Sequence, residues 1–265
     1  QIPVLAEKPV FDMQLCIGCG RCANKCRYNA IAVVKGKPLV FNDLCHSCGV
    51  CGAVCPHDAI TLKPEPIGEV LVDGSHRPFS FMFGRLQIGE SQSPMVIGKM
   101  LEHVLSTGLN IIDGPPGTAC NTVKAIGAAD KVILVTEPTP FGANDLALAL
   151  DLCAQLHKPC GIVINRSDNN DGLIEALAER YRVPVIGKIP FKREYARACS
   201  DGLILTAEYP ELRAEVIGSF SRLLSAAAVP AVVAADKIEH DECRIDSGSA
   251  ADRKSDDYQE LTVLS

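Results

Sequence analysis

The sequence predicts an α/β chain in which a small cysteine-rich α+β module precedes a doubly wound, mostly parallel sheet. Three observations predict it. "CIGCGRCANKC" at 16–26 and "CHSCGVCGAVCP" at 45–56 repeat one cysteine spacing. "KPEP" at 63–66 then reads as a boundary, because paired prolines interrupt regular structure. Beyond it, short apolar strands alternate with helical patterns up to residue 225, the arrangement of a sheet covered by helices on both faces.

Residues 1–9 are expected to be an N-terminal connector and residues 10–63 the cysteine module. Between its two runs, "AIAVVKGKPLVF" reads as two short strands around the turn "KGKP". Within residues 67–225, "GEVLVDG" and "FSFMFGRLQIG" look like paired strands. "LNIID", "KVILVTEP", "CGIVIN" and "PVIGKIP" follow as β-branched runs suited to a buried parallel sheet. The intervening "SPMVIGKMLEHVLS", "FGANDLALALDLCAQLH", "GLIEALAERY" and "YPELRAEVIGSFSRLLS" carry helical periodicity. Residues 226–265 are acidic and poor in bulky apolar groups, so a mostly disordered tail is expected there.

Composition bounds what the chain does. Its 265 residues suffice for one or two domains, and 47% hydrophobic with 22% charged residues is ordinary for a globular protein. A formal charge of −6 offers no general attraction to nucleic acid or anionic lipid. No apolar run approaches the roughly 20 residues of a membrane span, and "QIPVLAEKPVFD" lacks the layout of a secretory signal. The first residue is Gln, so the chain is expected to be processed, trimmed or a fragment. Eight of the thirteen cysteines cluster in the two runs, which points to metal binding in a reducing compartment, the cytoplasm, rather than to a disulfide scaffold.

Cys16, Cys19, Cys22 and Cys26 have C-x2-C-x2-C-x3-C spacing, and Cys45, Cys48, Cys51 and Cys55 repeat it 29 residues later. Two-residue gaps let successive thiolates turn around one corner of a cubane, and Gly18, Gly20 and Gly49 permit the tight turns. The pattern resembles the bacterial two-cluster ferredoxins. That resemblance implies one 4Fe–4S cluster on Cys16, Cys19, Cys22 and Cys55, and a second on Cys45, Cys48, Cys51 and Cys26, with the fourth thiol of each run crossing over. Pro56 follows its run as the pattern expects, whereas Arg27 stands at the equivalent place in the first. Structural zinc and disulfides are the alternatives, although zinc sites usually separate their cysteine pairs more widely. His46 and His57 are expected at the surface, and Cys120, Cys153, Cys160, Cys199 and Cys243 unpaired, with a redox or ligand role as the alternative for Cys120.

Sites in doubly wound sheets lie at the carboxyl ends of the strands. "IIDGPPGTAC" delivers Asp113 to such a tip, with Gly117 in the turn, and "VINRS" delivers Asn165 and Arg166 to another. Together with "VTEPTPFGANDL" and "GKIPF", these strings resemble the MinD/ParA-type P-loop ATPases, in the branch with an inserted two-cluster ferredoxin domain. The resemblance implies a magnesium-holding Walker B role for Asp113 and nucleotide contacts from Gly117, Asn165 and Arg166, with Mg-ATP as ligand. No G-x4-G-K-S/T string is present, so the phosphate-binding half is absent and the doubly wound sheet is expected to be incomplete, with apolar surface exposed where a strand and helix are missing. Three functions follow as expectations: a nucleotide-gated iron–sulfur electron carrier acting on a redox partner protein, a plain ferredoxin whose α/β part is a docking scaffold, and a cluster carrier. The resemblance further implies either a dimer through the nucleotide-responsive face or a partner that supplies the P-loop half.

Overall fold

A computed structural model describes residues 1–73, 79–168, 170–225 and 261–264. The chain divides into two compact units, Gln1–Val104 and the remainder from Leu105.

In the first unit, strand β1 (Ile2–Phe11) pairs antiparallel along β4 (Ile60–Asp73), which pairs in turn with β5 (Phe81–Leu86). The expected connector is therefore a strand, and "KPEP" lies inside β4 rather than at a joint. The physical reason lies in the sheet's outline. β5 reaches only Gly68–Asp73 of β4, so among the described residues Pro64 and Pro66 sit where β4 has β1 as its one neighbour. A strand with one open side tolerates residues that cannot donate to a ladder. Helix α3 (Ser93–Leu101) packs on this sheet through Val96, against Val4, Ala6, Ile67 and Val70. Gly84 allows that approach: a Cβ there would run into Val96 Cγ1 and lie 2.8 Å from Met100 Sδ. The cysteine-bearing part adds helix α1 (Arg21–Lys25), the antiparallel hairpin β2 (Ile31–Val34) and β3 (Lys37–Val40), and helix α2 (Val50–Ala53).

The second unit holds the parallel sheet. Its strands are β6 (Asn110–Asp113), β7 (Lys131–Thr136), β8 (Cys160–Ser167), β9 (Val185–Pro190) and β10 (Leu261–Leu264), in the spatial order β6–β10–β7–β8–β9. Helices α4 (Cys120–Ala128), α5 (Pro140–Gln155) and α6 (Gly172–Tyr181) bury one face over Val132, Leu134, Ile162 and Ile164. Helix α9 (Pro210–Ser225) covers the other face through Leu223, against Ile133, Val163 and Ile186. Alternate residues of one strand thus enter opposite cores, which is why these strands read as unbroken apolar runs. Helices α4, α7 (Arg193–Ser200) and α8 (Leu205–Glu208) were not anticipated.

Strand β10 falls in the expected tail and pairs in parallel with both β6 and β7. The rest of that tail, residues 226–260 and 265, lies outside the described residues. Ile111 on β6 is 54% exposed and Val135 on β7 41%. Among the described residues, no helix is long and apolar enough to cross a membrane.

Two glycine substitutions should move stability in opposite directions. Gly84→Val overpacks the α3 contact and should destabilise the first unit by about 1–3 kcal/mol. Gly127→Ala, where a Cβ meets nothing, should stabilise α4 by about 0.5–1 kcal/mol. Amide hydrogen exchange in α3 and α4 measures both.

Candidate metal centre

The cysteine module repeats itself down to its backbone dihedrals. Gly18 and Ser47 occupy equivalent left-handed positions with φ of +70° and +54°, as do Asn29 and Asp58 at +52° and +50°. Gly20 and Gly49 precede α1 and α2 with φ of +74° each. Gly18 has a further reason to be glycine, since a Cβ there would collide with the Gly36 carbonyl oxygen in the β2–β3 turn. Each turn ends by delivering a thiol to a short helix, Cys22 on α1 and Cys51 on α2. Just beyond each helix, a backbone N–H donates to the run's fourth sulfur: Ala30 to Cys26 Sγ and Ala59 to Cys55 Sγ, both at 3.3 Å.

Two open pockets lie within this frame. Cys16, Cys19, Cys22 and Cys55 line the first, and Cys26, Cys45, Cys48 and Cys51 line the second. The fourth cysteine of each run thus stands at the cavity of the other. The remaining walls are largely apolar, with Leu15, Ile17 and Ile60 at the first and Ile31, Val50 and Leu62 at the second. Four thiols around one pocket suit a cubane that takes one thiolate per iron. Among the described residues, no three His, Cys, Asp or Glu side chains gather to hold a single metal ion, and all twelve described cysteines are free of disulfides. Cys243 lies outside the described residues.

Burial pushes the Cys22 and Cys51 thiols up, while the N–H groups of Ala23 and Gly52 pull the other way. Loading a cluster must expel these protons, and the same N–H groups then face sulfur that carries negative charge.

Sequence reasoning missed the residues that hold the second cysteine turn. Alternation along β1 sends Val4, Ala6 and Lys8 to its buried face, so the Lys8 ammonium is enclosed, at 1% exposure. It donates to the carbonyls of Asn42 (2.9 Å) and Cys45 (3.4 Å) and pairs with Glu90 at 3.1 Å. Gln92 Nε2 donates to the Cys45 carbonyl and to Ser47 Oγ, both at 3.0 Å. The signal was available only as a lysine at an inward position of an alternating strand. Next to it, the exposed His46 ring stacks on Tyr28 with centroids 3.7 Å apart. Burial, then the Lys8 charge, lowers the His46 pKa. His57 is exposed at the rim of the first cavity.

In the second unit, Asp113 ends β6 and is exposed. Gly117 has φ of +81° in the following loop, and Thr122 Oγ1 ties that loop to α4 by donating to the Pro115 carbonyl at 3.3 Å. Asn165 is half-buried at the end of β8, and Arg166 adopts φ of +53° and pairs with Glu137 at 3.3 Å. Asp113 and the Asn165–Arg166 pair share the carboxyl edge of the sheet, separated by three strand spacings, about 14 Å. Sequence reasoning also missed the network beside them, in which Asp171 Oδ2 accepts from Ser167 Oγ at 2.7 Å and meets Lys188 Nζ at 2.9 Å. Cys153 and Cys160 are fully buried in the core of this unit, where a hydrogen bond between them and burial push the Cys160 thiol up. Cys120 and Cys199 are exposed.

Residues 10–62 match the family described as 4Fe-4S dicluster domain. An uncharacterized protein of Methanocaldococcus jannaschii is 34% identical over 114 residues, covering 42% of this chain and 42% of that protein. A second uncharacterized protein of the same organism is 31% identical over 196 residues, covering 72% of this chain and 65% of the relative. The iron-sulfur cluster carrier protein of Rickettsia bellii is 35% identical over 100 residues, covering 36% of this chain and 31% of the carrier. The chain thus spans less than two thirds of each of these relatives. The dicluster-domain match, together with homology over part of the length to iron-sulfur cluster carrier proteins, marks the chain as an iron–sulfur protein.

Proposed function

We propose that the chain binds two 4Fe–4S clusters, one in each four-thiol cavity, and exchanges single electrons with a partner redox protein in the cytoplasm. The observation that carries this reading is the crossing of the fourth thiol: Cys55 stands with Cys16, Cys19 and Cys22, and Cys26 with Cys45, Cys48 and Cys51. A bound cluster supplies one-electron chemistry at low driving force, with a potential set by charge, hydrogen bonds to sulfur and exposure. The chain's own residues hold the thiols in place, aim N–H groups at sulfur, and through Lys8 fix the loop that carries Cys45. Mutual exchange of ligands ties each cluster to both runs, which favours retention over delivery. The likeness to cluster carrier proteins supports a second reading, in which the clusters are cargo.

The second unit is read as a MinD/ParA-type nucleotide domain, supported by the parallel sheet and by the tip positions of Asp113, Asn165 and Arg166. Asp113 would hold magnesium through water, and Gly117, Asn165 and Arg166 would contact nucleotide, once a phosphate loop is supplied by another segment or by a partner chain. A dimer through the loops at this edge belongs to the same reading.

Anaerobically prepared protein should contain about eight irons and eight labile sulfides per chain, and two zinc ions without sulfide would overturn the reading. Cys55→Ser should deplete the cluster on Cys16, Cys19 and Cys22, and Cys26→Ser the other, as resolved by electron paramagnetic resonance of the reduced variants. In the cargo reading, loaded protein surrenders its iron and sulfide to an apo-protein acceptor within minutes.

Lys8→Met strands the Glu90 carboxylate, a loss of about 3–5 kcal/mol for a broken buried pair. The cluster near Cys45 should then bleach first under a chelator, with the other unaffected at early times. For nucleotide, calorimetry of this chain with Mg-ATP should show no binding tighter than about 100 μM. A low-micromolar constant would show that the chain binds phosphate without the missing loop.

A further inference from the structure

The two cavities are related by an internal repeat, yet their surroundings differ in cover, polarity and charge. At the second, Cys45 is buried, Lys8 and Gln92 seize its carbonyl from behind, and the Tyr28–His46 stack adds a polar aromatic wall. Its lining includes Glu7 and no lysine or arginine. At the first, the residue equivalent to His46 is Ile17, which is 66% exposed, and Leu15 beside it is 49% exposed. The lining there contains Arg21 and no carboxylate. The β2–β3 turn packs on Gly18 and brings the exposed Lys35 and Lys37 to the same turn. Two acids, Asp12 and the exposed Asp58, adjoin lining residues in sequence, and Asp12 accepts from the Gln14 N–H at 2.8 Å through Oδ1. One pole of the module therefore presents an apolar centre beside exposed cations.

We propose that this pole, centred on Ile17 and flanked by Arg21, Lys35 and Lys37, is the docking surface for a redox protein with an acidic face. The inference rests on the two-cluster reading. Exposed apolar side chains next to charges of one sign make small, steered, short-lived interfaces, the kind used in electron-transfer encounters. The cations raise the encounter rate, and Ile17 excludes water where the partner's cofactor must approach most closely. The exchange forms and breaks no bond: a cluster held by Cys16, Cys19, Cys22 and Cys55 would take up one electron as a reduced flavin of the partner is oxidised by one electron.

The test uses the cluster-loaded chain and an acidic flavodoxin as probe. Wild type should associate in a salt-dependent manner, weakening steeply between about 20 and 200 mM salt. The double substitution Lys35→Glu with Lys37→Glu should lower both association and the flavin-to-cluster rate by about tenfold or more at low salt, and Ile17→Asp should lower the rate at comparable ionic strength. Lys63→Glu, half that charge change placed on β4, should alter neither by more than about twofold. Iron and sulfide content and dithionite bleaching are measured on every variant. Full clusters with no flavodoxin association, or with equal losses for Lys63→Glu and the Lys35/Lys37 variant, overturn the docking surface and leave the two-cluster reading standing. A wild type without eight irons overturns both.

Discussion

A lysine ammonium with almost no access to water organises the first unit. Lys8 leaves β1 on the same face as Val4 and Ala6, where an alkyl residue would be expected, and three groups answer its charge: two backbone carbonyls from the second cysteine turn and the Glu90 carboxylate ahead of α3. Enclosing an ammonium is costly unless every donor is used and a counter-charge is near. The arrangement therefore acts as a register pin: a one-residue slip of β1 would turn Lys8 outward and leave Glu90 and the Cys45 carbonyl without it. A sheet strand, a metal-ligand loop and a helix entry are held at one point.

Much of the cysteine module was legible because its chemistry is local. Spacing dictates which thiols share a turn, and a 29-residue repeat in sequence becomes a repeat of left-handed positions at Gly18 and Ser47 and at Asn29 and Asp58. The ion pair of Lys8 with Glu90 was illegible for the opposite reason, since it joins residues that no motif connects. "KPEP" misled because proline was read as a breaker, whereas Pro64 and Pro66 lie in a stretch of β4 that pairs with β1 alone among the described residues. In the second unit, the strands were legible as apolar runs, but α4 and α7 were not. The former starts inside a Gly/Pro-rich string, and the latter is strongly polar on its outer side, burying only Tyr195 and Ala198.

The two units express different physics. The first is held by a polar pin, with a modest apolar cluster under α3. The second needs no such device, because both faces of its sheet are buried by helices and Val132, Ile162 and Ile164 are inaccessible. The residues proposed to contact nucleotide sit at the rim of that core, on strand tips where backbone irregularity is tolerated. Arg166 shows this: the β8–β9 register shifts between Ile164 and Ser167, and the arginine takes a left-handed conformation in the gap.

Strand β10 bears on how the second unit assembles in time. The β7–α5–β8–α6–β9 segment closes through short connections, so its contacts form early and at small entropic cost. β6 has no direct neighbour within that segment, and among the described residues it joins the sheet through Leu261–Leu264, from which most of the unit's chain separates it. Closing so long a loop for a four-residue ladder is a late step. The Asp113 tip therefore sits on the strand whose pairing spans the longest stretch of chain in its sheet, so the order of that edge depends on a contact that the core beside it does not need.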